Sequence, residues 1–244
     1  MKIIEKIMKK NLTNRKLNKV KGIVVHWFAD EMAEAEDVIK FWEGRANGVG
    51  TQYVIGLDGK IFHVVPDGMM AYQVGKKGGY TNAAEKRLSD YPNDCVIGIE
   101  CAHLDMKGTM TKETKASLLW LSAKLIKDNK LESDDLWLHS EIVGKDYKDC
   151  HRWFTTTKPS DWIKFKKDVH NINHPAPKPV APKPPVKKKP LVKKYVSVVD
   201  YLVDHNQPYD FVSRVKLAKK LGLPRYNGSA DQNNHMLRLL EKND

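Results

Sequence analysis

Three residues of this 244-residue chain have side chains and positions suited to holding a metal ion. His26 lies in the apolar run IVVHW, His139 ends the run LWLH, and Cys150 follows eleven residues later. Imidazole nitrogen and thiolate sulfur are ligands that zinc prefers, and three protein ligands leave a fourth position open for water or substrate. The spacing is not the paired CxxC pattern of a structural zinc site. On spacing alone, histidines with a purely structural role remain the competing interpretation.

The strands that must position these residues can be predicted from runs of apolar and β-branched residues. Residues 21–28 predict a buried strand, residues 95–102 predict another strand, and 136–139 is a short apolar run that ends in a histidine. Two further β-rich runs flank Asp58 and Gly59, a pair typical of the type I′ turn of a β-hairpin.

Helices are predicted between these strands. Apolar residues recur at helical spacing over 35–46, with Gly48 as the expected stop, and over 111–129, where Thr111 can serve as the N-cap. A basic amphipathic segment follows near 161–169. Strands that alternate with helices indicate an α/β domain.

The C-terminal part of the chain has only helical patterns. The first helix is predicted over 197–203, and the second has an apolar stripe over 211–221 that ends at Gly222. The third opens with the capping box formed by Ser229 and Gln232. These patterns predict a small all-helical module.

A proline- and lysine-rich segment separates the two parts. Residues 174–194 contain seven of the twelve prolines and seven lysines, and they supply +7 of the net charge of +12. Proline favours extended backbone, so we predict a semi-rigid linker between a domain at 1–173 and a module at 195–244. Because the positive charge is concentrated in this tether, and not in a groove with aromatic side chains, a nucleic-acid partner is disfavoured.

Other features of the sequence bear on where the protein resides. No apolar stretch has the roughly 18 to 20 residues of a membrane span, and the basic N-terminus lacks the apolar region of a secretory signal. The three cysteines, Cys95, Cys101 and Cys150, form no even disulfide framework, and the first two are expected to be buried thiols. These features predict synthesis in the cytoplasm.

Residues 20–153 resemble the type 2 N-acetylmuramoyl-L-alanine amidases, a family that includes phage lysozyme-like amidases and peptidoglycan recognition proteins. The resemblance implies a mixed β-sheet flanked by helices. Several motifs in the family's order are more specific than any one motif alone. The matching segments are KGIVVHW, GTQYVIGLDGKIFHVVP, AYQVG, CVIGIE and HSEIVGKDYKDC.

The resemblance also implies the roles of individual residues. His26, His139 and Cys150 would be the ligands of a catalytic Zn²⁺. Glu100 matches the family's acidic catalytic residue and would exchange protons with water and with the leaving amine. Lys148 matches the family's lysine and would stabilise the developing oxyanion.

Three positions are expected to touch glycan or peptide, and three depart from the family pattern. Trp27, Tyr72 and Gln73 are the candidate substrate contacts. Gln73 stands where many relatives carry histidine. His151 follows the cysteine where proline is common, and Thr51 stands where some relatives have a catalytic tyrosine. These departures concern the substrate contacts more than the metal site.

The expected function is hydrolysis of the bond between N-acetylmuramic acid and the first alanine of the stem peptide. A catalytic domain, a linker and a wall-binding module is the order found in endolysins of phages that infect Gram-positive bacteria. Such an enzyme would reach the wall through phage-made membrane pores and would meet peptidoglycan and anionic wall polymers as its partners. The alternatives are a peptidoglycan-binding protein without activity, which typically lacks the cysteine ligand, and a bacterial autolysin.

Overall fold

A computed structural model of the protein describes residues 1–75, 78–175 and 195–242. The chain divides into two units, Met1–Lys178 and Pro179–Asp244. The predicted linker lies almost entirely outside the described residues. Within the described ranges, no helix is long and apolar enough to cross a membrane.

The first unit is built on one mixed sheet, whose strand order is β1-β4-β3-β5-β2-β6. Strands β2, β3, β5 and β6 run parallel to one another, whereas β4 is antiparallel to β3 and β1 is parallel to β4. The predicted mixed sheet flanked by helices is therefore confirmed. The strands are β1 (Ile3–Glu5), β2 (Gly22–Trp27), β3 (Tyr53–Ile55), β4 (Ile61–His63), β5 (Val96–Cys101) and β6 (Leu136–Leu138).

Helices cover both faces of this sheet, which explains why its central strands β2 and β5 are apolar over most of their length. Side chains of β2 alternate between the faces: Ile23 and Val25 join the core formed with α3 and α5, and Val24 joins the core formed with α2 and α4. Helix α1 packs on strands β3 and β4. The helices of this unit are α1 (Ala35–Glu43), α2 (Asn82–Arg87), α3 (Lys112–Asp128), α4 (His139–Val143) and α5 (Ser160–Asn173).

The hairpin β3–β4 forms as predicted, but its turn is of another kind. A type I′ turn needs a positive φ at both central residues. Here Gly59 has φ +77° and Asp58 does not have a positive φ. The Gly59 amide donates to the Gly56 carbonyl at 3.0 Å, and the Gly56 amide donates to the Lys60 carbonyl at 3.0 Å. The loop is therefore longer than two residues, with a glycine in the left-handed region at its end.

One other expectation about the first unit was wrong, and one strand was not predicted. Helix α1 ends at Glu43 with Gly44 as its C-cap, so the predicted stop at Gly48 lies beyond the helix. The N-terminal segment, for which no strand was predicted, supplies β1 at the sheet edge. A three-residue strand of mixed burial leaves little periodic signal in a sequence, since its pairing with β4 depends on a partner far along the chain.

Within residues 195–242, the second unit has three helices around a small core of its own. Ser197 caps α6 and Ser229 caps α8, each accepting a hydrogen bond from the backbone amide three residues later. Gly222 follows α7 with φ +71°, as expected for a glycine after a helix end. The predicted helical C-terminal region is therefore present. Its helices are α6 (Val198–Asp204), α7 (Phe211–Lys220) and α8 (Ala230–Glu241).

Candidate active site

Three adjacent parallel strands bring the candidate catalytic residues to one edge of the sheet. His26 and Glu100 lie directly opposite each other near the carboxyl ends of β2 and β5. His139 is the first residue after β6, the strand on the other side of β2. Because parallel strands end at the same edge, residues that are distant in sequence meet there.

The three predicted metal ligands come together in this region. His26, His139 and Cys150 are all buried, and one ligand atom from each lies within 4.8 Å of the others. The Nδ1 atom of His26 is 3.7 Å from the Cys150 sulfur, and the two imidazole centroids are 4.8 Å apart. Ligand atoms of a tetrahedral zinc ion lie about 3.5 Å apart, given bond lengths of roughly 2.0 to 2.3 Å.

The chemistry of these donors fits a divalent cation. Among the described residues, His139 Nε2 is buried and has no hydrogen-bond partner. Such an atom usually costs stability, which a metal bond would relieve. Two nitrogens and one sulfur form the ligand set typical of zinc, and the residues present therefore fit a zinc ion with one open position.

Burial also controls the protonation of the three ligands. It lowers the pKa of His26 well below its usual value, and it lowers the pKa of His139 to about 3. Both imidazoles are therefore neutral near pH 7 and have a nitrogen lone pair available. Burial raises the pKa of the Cys150 thiol, and Glu100 acts in the same direction. The thiolate that binds metal is therefore favoured only when a cation compensates its charge.

The three candidate ligands line a cleft of about 190 Å³, together with Glu100 and Lys148. Burial raises the pKa of Glu100 well above its usual value, and the positive charge of Lys148 opposes this shift. Glu100 is half-buried, but its Oε2 is enclosed and has no hydrogen-bond partner among the described residues. The cleft is lined by His26, Trp27, Phe28, Ala29, Trp42, Val49, Gly50, Thr51, Tyr72, Gln73, Glu100, His139, Lys148 and Cys150.

The three candidate substrate contacts differ in their placement. Tyr72 is half-buried and is available at the cleft wall. Trp27 also borders the cleft, but its ring packs against His103 at a centroid distance of 4.5 Å and is 6 % exposed. Its backbone amide contacts the Cys150 sulfur and lowers the pKa of that thiol. Gln73 is buried, and its Oε1 lies 3.2 Å from His26 Nε2.

The sequence patterns did not identify several residues that support this site. Gln52, Asn93 and Gly98 contact Gln73 through its side chain or its backbone. A glycine inside a predicted strand can mark a close approach of another group, so Gly98 was the available signal. The sequence carries no comparable signal for Gln52 or Asn93, because both act through contacts that only the folded chain creates.

Comparison with known proteins identifies the family. The sequence matches the family model described as N-acetylmuramoyl-L-alanine amidase over residues 16–157. A comparison with curated proteins gave no match.

Solved structures with the same fold include the PlyG catalytic domain, which is 18% identical with a TM-score of 0.56, covering 72% of this chain and 99% of that chain. A mutant endolysin from Bacillus subtilis is 20% identical with a TM-score of 0.51, covering 69% and 98%. The hydrolase AmiA of Staphylococcus aureus, in complex with its ligand, is 17% identical with a TM-score of 0.54, covering 71% and 85%.

The family match and the geometry concern the same part of the chain. Residues 16–157 make up more than half of the protein. They include both histidines and the cysteine of the buried cluster, and also Glu100 and Lys148. This chain therefore belongs to the N-acetylmuramoyl-L-alanine amidase family of enzymes that hydrolyse an amide bond of peptidoglycan.

Proposed function

We propose that the protein is a zinc-dependent amidase and that it serves as a phage endolysin, cutting between N-acetylmuramic acid and L-alanine. The observation that carries the zinc assignment is the cluster of His26, His139 and Cys150, whose ligand atoms lie within 4.8 Å of one another in an open cleft. A bound zinc ion would polarise the scissile carbonyl and make a water molecule more acidic.

Glu100 is the proposed proton-transfer residue. Its carboxyl group lines the cleft beside the ligand cluster, and its Oε2 has no other partner within the described part of the chain. A carboxylate there can take a proton from the attacking water and then give it to the departing alanine nitrogen. Burial raises the pKa of Glu100 and so makes the group a better base than an exposed carboxylate.

Lys148 is the proposed oxyanion partner. It is exposed at the cleft, and its charge influences Glu100, His26 and His139. When water adds to the amide, the carbonyl oxygen gains negative charge that an ammonium group can stabilise by hydrogen bonding. The same positive charge favours the ionised, base form of Glu100. Lys148 therefore supports two steps of the reaction.

The endolysin role is supported by the order of the parts and by fold likeness. One neighbour in fold is an endolysin from Bacillus subtilis, and another is a hydrolase of Staphylococcus aureus. A proline- and lysine-rich segment follows the catalytic domain, and a helical unit follows that segment. This order favours an enzyme that is tethered to the bacterial cell wall. We propose that peptidoglycan and anionic wall polymers are the partners of this second unit.

The bond that is cut can be tested directly. Purified peptidoglycan is digested with the full chain, and the soluble products are analysed by mass spectrometry after amine labelling. The proposal expects stem peptides with a new free amine on L-alanine and no new reducing sugar ends. A matched digestion with Glu100→Gln should release almost none. New reducing ends without new alanine amines would contradict the proposed bond.

A further inference from the structure

Each of the two ring nitrogens of His26 has a polar neighbour. Its Nδ1 lies 3.7 Å from the Cys150 sulfur, and its Nε2 lies 3.2 Å from the Oε1 of Gln73. A neutral imidazole carries one hydrogen, on either nitrogen, and only the nitrogen without it can bind a metal. We propose that Gln73 is a positioning residue that fixes this hydrogen on Nε2 and keeps Nδ1 free for zinc.

The orientation of the Gln73 amide follows from its partners. Its Nε2 donates to Gln52 Oε1 at 3.1 Å and is 3.4 Å from the Val96 carbonyl. If the amide were reversed, its oxygen would face these two oxygens with no hydrogen between them. The amide oxygen must therefore point towards His26.

Gln52 is held in turn by the backbone. Its Oε1 accepts a hydrogen bond from the Gly98 amide at 2.8 Å, and its Nε2 donates to the Met69 carbonyl at 3.1 Å. A backbone amide can only donate and a backbone carbonyl can only accept. These two backbone groups therefore fix the orientation of the Gln52 amide, and Gln52 in turn fixes the orientation of the Gln73 amide. The Gln73 oxygen then favours the hydrogen of His26 on Nε2.

The hydrogen-bonded series Gln52–Gln73–His26, which we call the relay, is buried and closely packed. Gln52 is 3 % exposed and Gln73 is 9 % exposed, so water competes little for their hydrogen bonds. Asn93 Oδ1 accepts from the Gln73 backbone amide at 2.9 Å, which fixes the base of the side chain. A Cβ atom at Gly98 would lie 1.9 Å from Gln73 Oε1. Glycine at this position therefore leaves the space that the Gln73 amide occupies.

Partners that orient a metal-binding histidine typically contribute 10- to 100-fold in metal affinity. We therefore expect Gln73→Met, which keeps the length of the side chain but has no amide, to raise the zinc dissociation constant by about that factor. Gln73→Glu should stay within a few-fold of the original chain. It keeps an oxygen towards His26 and, when protonated, can also donate to Gln52. Gln207→Met, the same change at an exposed position, should have no effect.

The experiment combines two measurements on the full chain. Competition with a chelator gives the zinc dissociation constant, and long-range ¹H–¹⁵N NMR of the histidine rings shows which nitrogen of His26 carries hydrogen. We expect hydrogen on Nε2 in the zinc-free and the zinc-bound protein. In Gln73→Met we expect a mixture of both forms without zinc.

Two outcomes would overturn the proposal: hydrogen on Nδ1 of His26 in the zinc-free chain, or a Gln73→Met variant with unchanged zinc affinity and unchanged ring state. The first measurement needs no variant, so it remains decisive if Gln73→Met does not fold. The proposal rests on the proposed zinc site, but the two can fail separately. A chain that binds no zinc at His26 would remove the zinc site, and the ring state of the zinc-free chain would still test the relay.

Discussion

At the scale of single residues, the cluster of His26, His139 and Cys150 combines two kinds of candidate ligand that respond differently to burial. The two imidazoles are kept neutral by burial and can bind a cation at once. The Cys150 thiol must lose a proton first, because burial favours its neutral form. Zinc binding should therefore release a proton from this thiol near pH 7, which ties zinc affinity to pH.

The first prediction concerns the third ligand. Cys150→Ala should hold less than about one-tenth of the zinc of the original chain, because two ligands rarely retain the ion. Cys95→Ala is the matched control, since Cys95 is also buried but lies outside the cluster. Bound zinc is measured by elemental analysis after gel filtration. Full zinc occupancy in Cys150→Ala would exclude this residue as a ligand.

Zinc bound elsewhere on the chain would add to this measurement. Glu132, His170 and His174 form a second group whose ligand atoms also lie within 4.8 Å of one another, although all three are exposed. They could bind zinc weakly and obscure the count. The comparison is therefore made in a chain that also carries His170→Ala and His174→Ala.

The second prediction separates metal binding from catalysis. Glu100→Gln should keep its zinc and lose roughly 10² to 10⁴ in turnover, because the amide cannot transfer the proton. Lys148→Ala should lose about 10² to 10³ for the missing oxyanion donor. Lys145→Ala is the control, because Lys145 is nearby and exposed and does not line the cleft. Unchanged rates for Glu100→Gln, with zinc bound, would remove it from the mechanism.

At the scale of elements, helix α3 holds the β3–β4 turn in place. Thr111 and Ser117 donate through their hydroxyls to the carbonyls of Leu57 and Gly59 at 2.7 and 2.5 Å. The same Thr111 hydroxyl accepts from the Thr114 amide as the helix N-cap. One residue therefore both begins the helix and anchors the hairpin next to it.

The third prediction tests this contact. Gly59→Ala should cost more stability than Gly68→Ala, although both glycines have a positive φ, +77° and +73°. A Cβ at Gly59 would lie 2.9 Å from the Glu113 carbonyl oxygen, whereas a Cβ at Gly68 would meet nothing within 4 Å. The left-handed backbone alone costs alanine about 1 to 2 kcal/mol. Urea unfolding should show this loss at Gly68 and a clearly larger one at Gly59; equal losses would contradict the packing argument.

At the scale of the whole molecule, buried histidines couple stability to pH. Burial lowers the pKa of His139 and of His151 to about 3, and it lowers that of His103. Histidine in an unfolded chain titrates near 6.5. The unfolded chain therefore takes up more protons below that pH, and the stability present above about pH 6.5 is lost as the pH falls towards 3.

The fourth prediction follows from this difference. In zinc-free protein, His139 and His151 should each add up to about 1.4 kcal/mol per pH unit to the loss of unfolding free energy between pH 6 and 4. His151→Phe removes one of these titrating groups. The slope of unfolding free energy against pH should therefore fall by the contribution of about one proton, whatever the variant's stability at pH 8. His235→Gln, at an exposed position, should leave the slope unchanged. Urea unfolding at four pH values gives the slopes, and the same slope in His151→Phe would contradict the argument.

The fifth prediction concerns the two units. A chain ending near Asn173 should keep its zinc and cleave soluble muropeptides about as fast as the full chain, because all candidate catalytic residues precede that point. On intact walls it should be slower, since tethering raises the local concentration of enzyme. Part of this difference in rate should be due to the seven linker lysines. That part should decrease as the salt concentration rises, because the Debye length falls from about 10 Å at 0.1 M to about 3 Å at 1 M.

Wall binding of the second unit gives the complementary measurement. A fluorescent fusion of residues 195–244, whose described part has a core of its own, should bind walls at both low and high salt. A fusion carrying an unrelated helical domain of similar charge is the control. Absence of wall binding at either salt would refute the targeting role and leave the amidase assignment unaffected.

Local sequence patterns were sufficient for several features of this protein. His26, His139 and Cys150 could be named as candidate ligands from residue types that zinc prefers together with the family resemblance, since their spacing alone left a structural role open. Thr111 and Ser229 were correctly predicted as N-caps, because a cap satisfies amides only three residues away. The hairpin position was also predictable, since a glycine between two β-rich runs can adopt the positive φ that a tight turn needs.

Tertiary structure decided the features that depend on distant partners. The face of Glu100 could not be assigned from its strand, which is covered by helices on both sides; pairing of β5 with β2 sets it opposite His26. Gln73 was predicted to be a substrate contact from its position in the motif alone. Its contacts with Gln52 and Val96 join residues about twenty positions apart. Such contacts arise only when the sheet closes around them, because no local preference of the chain encodes which side chains will share the same buried space.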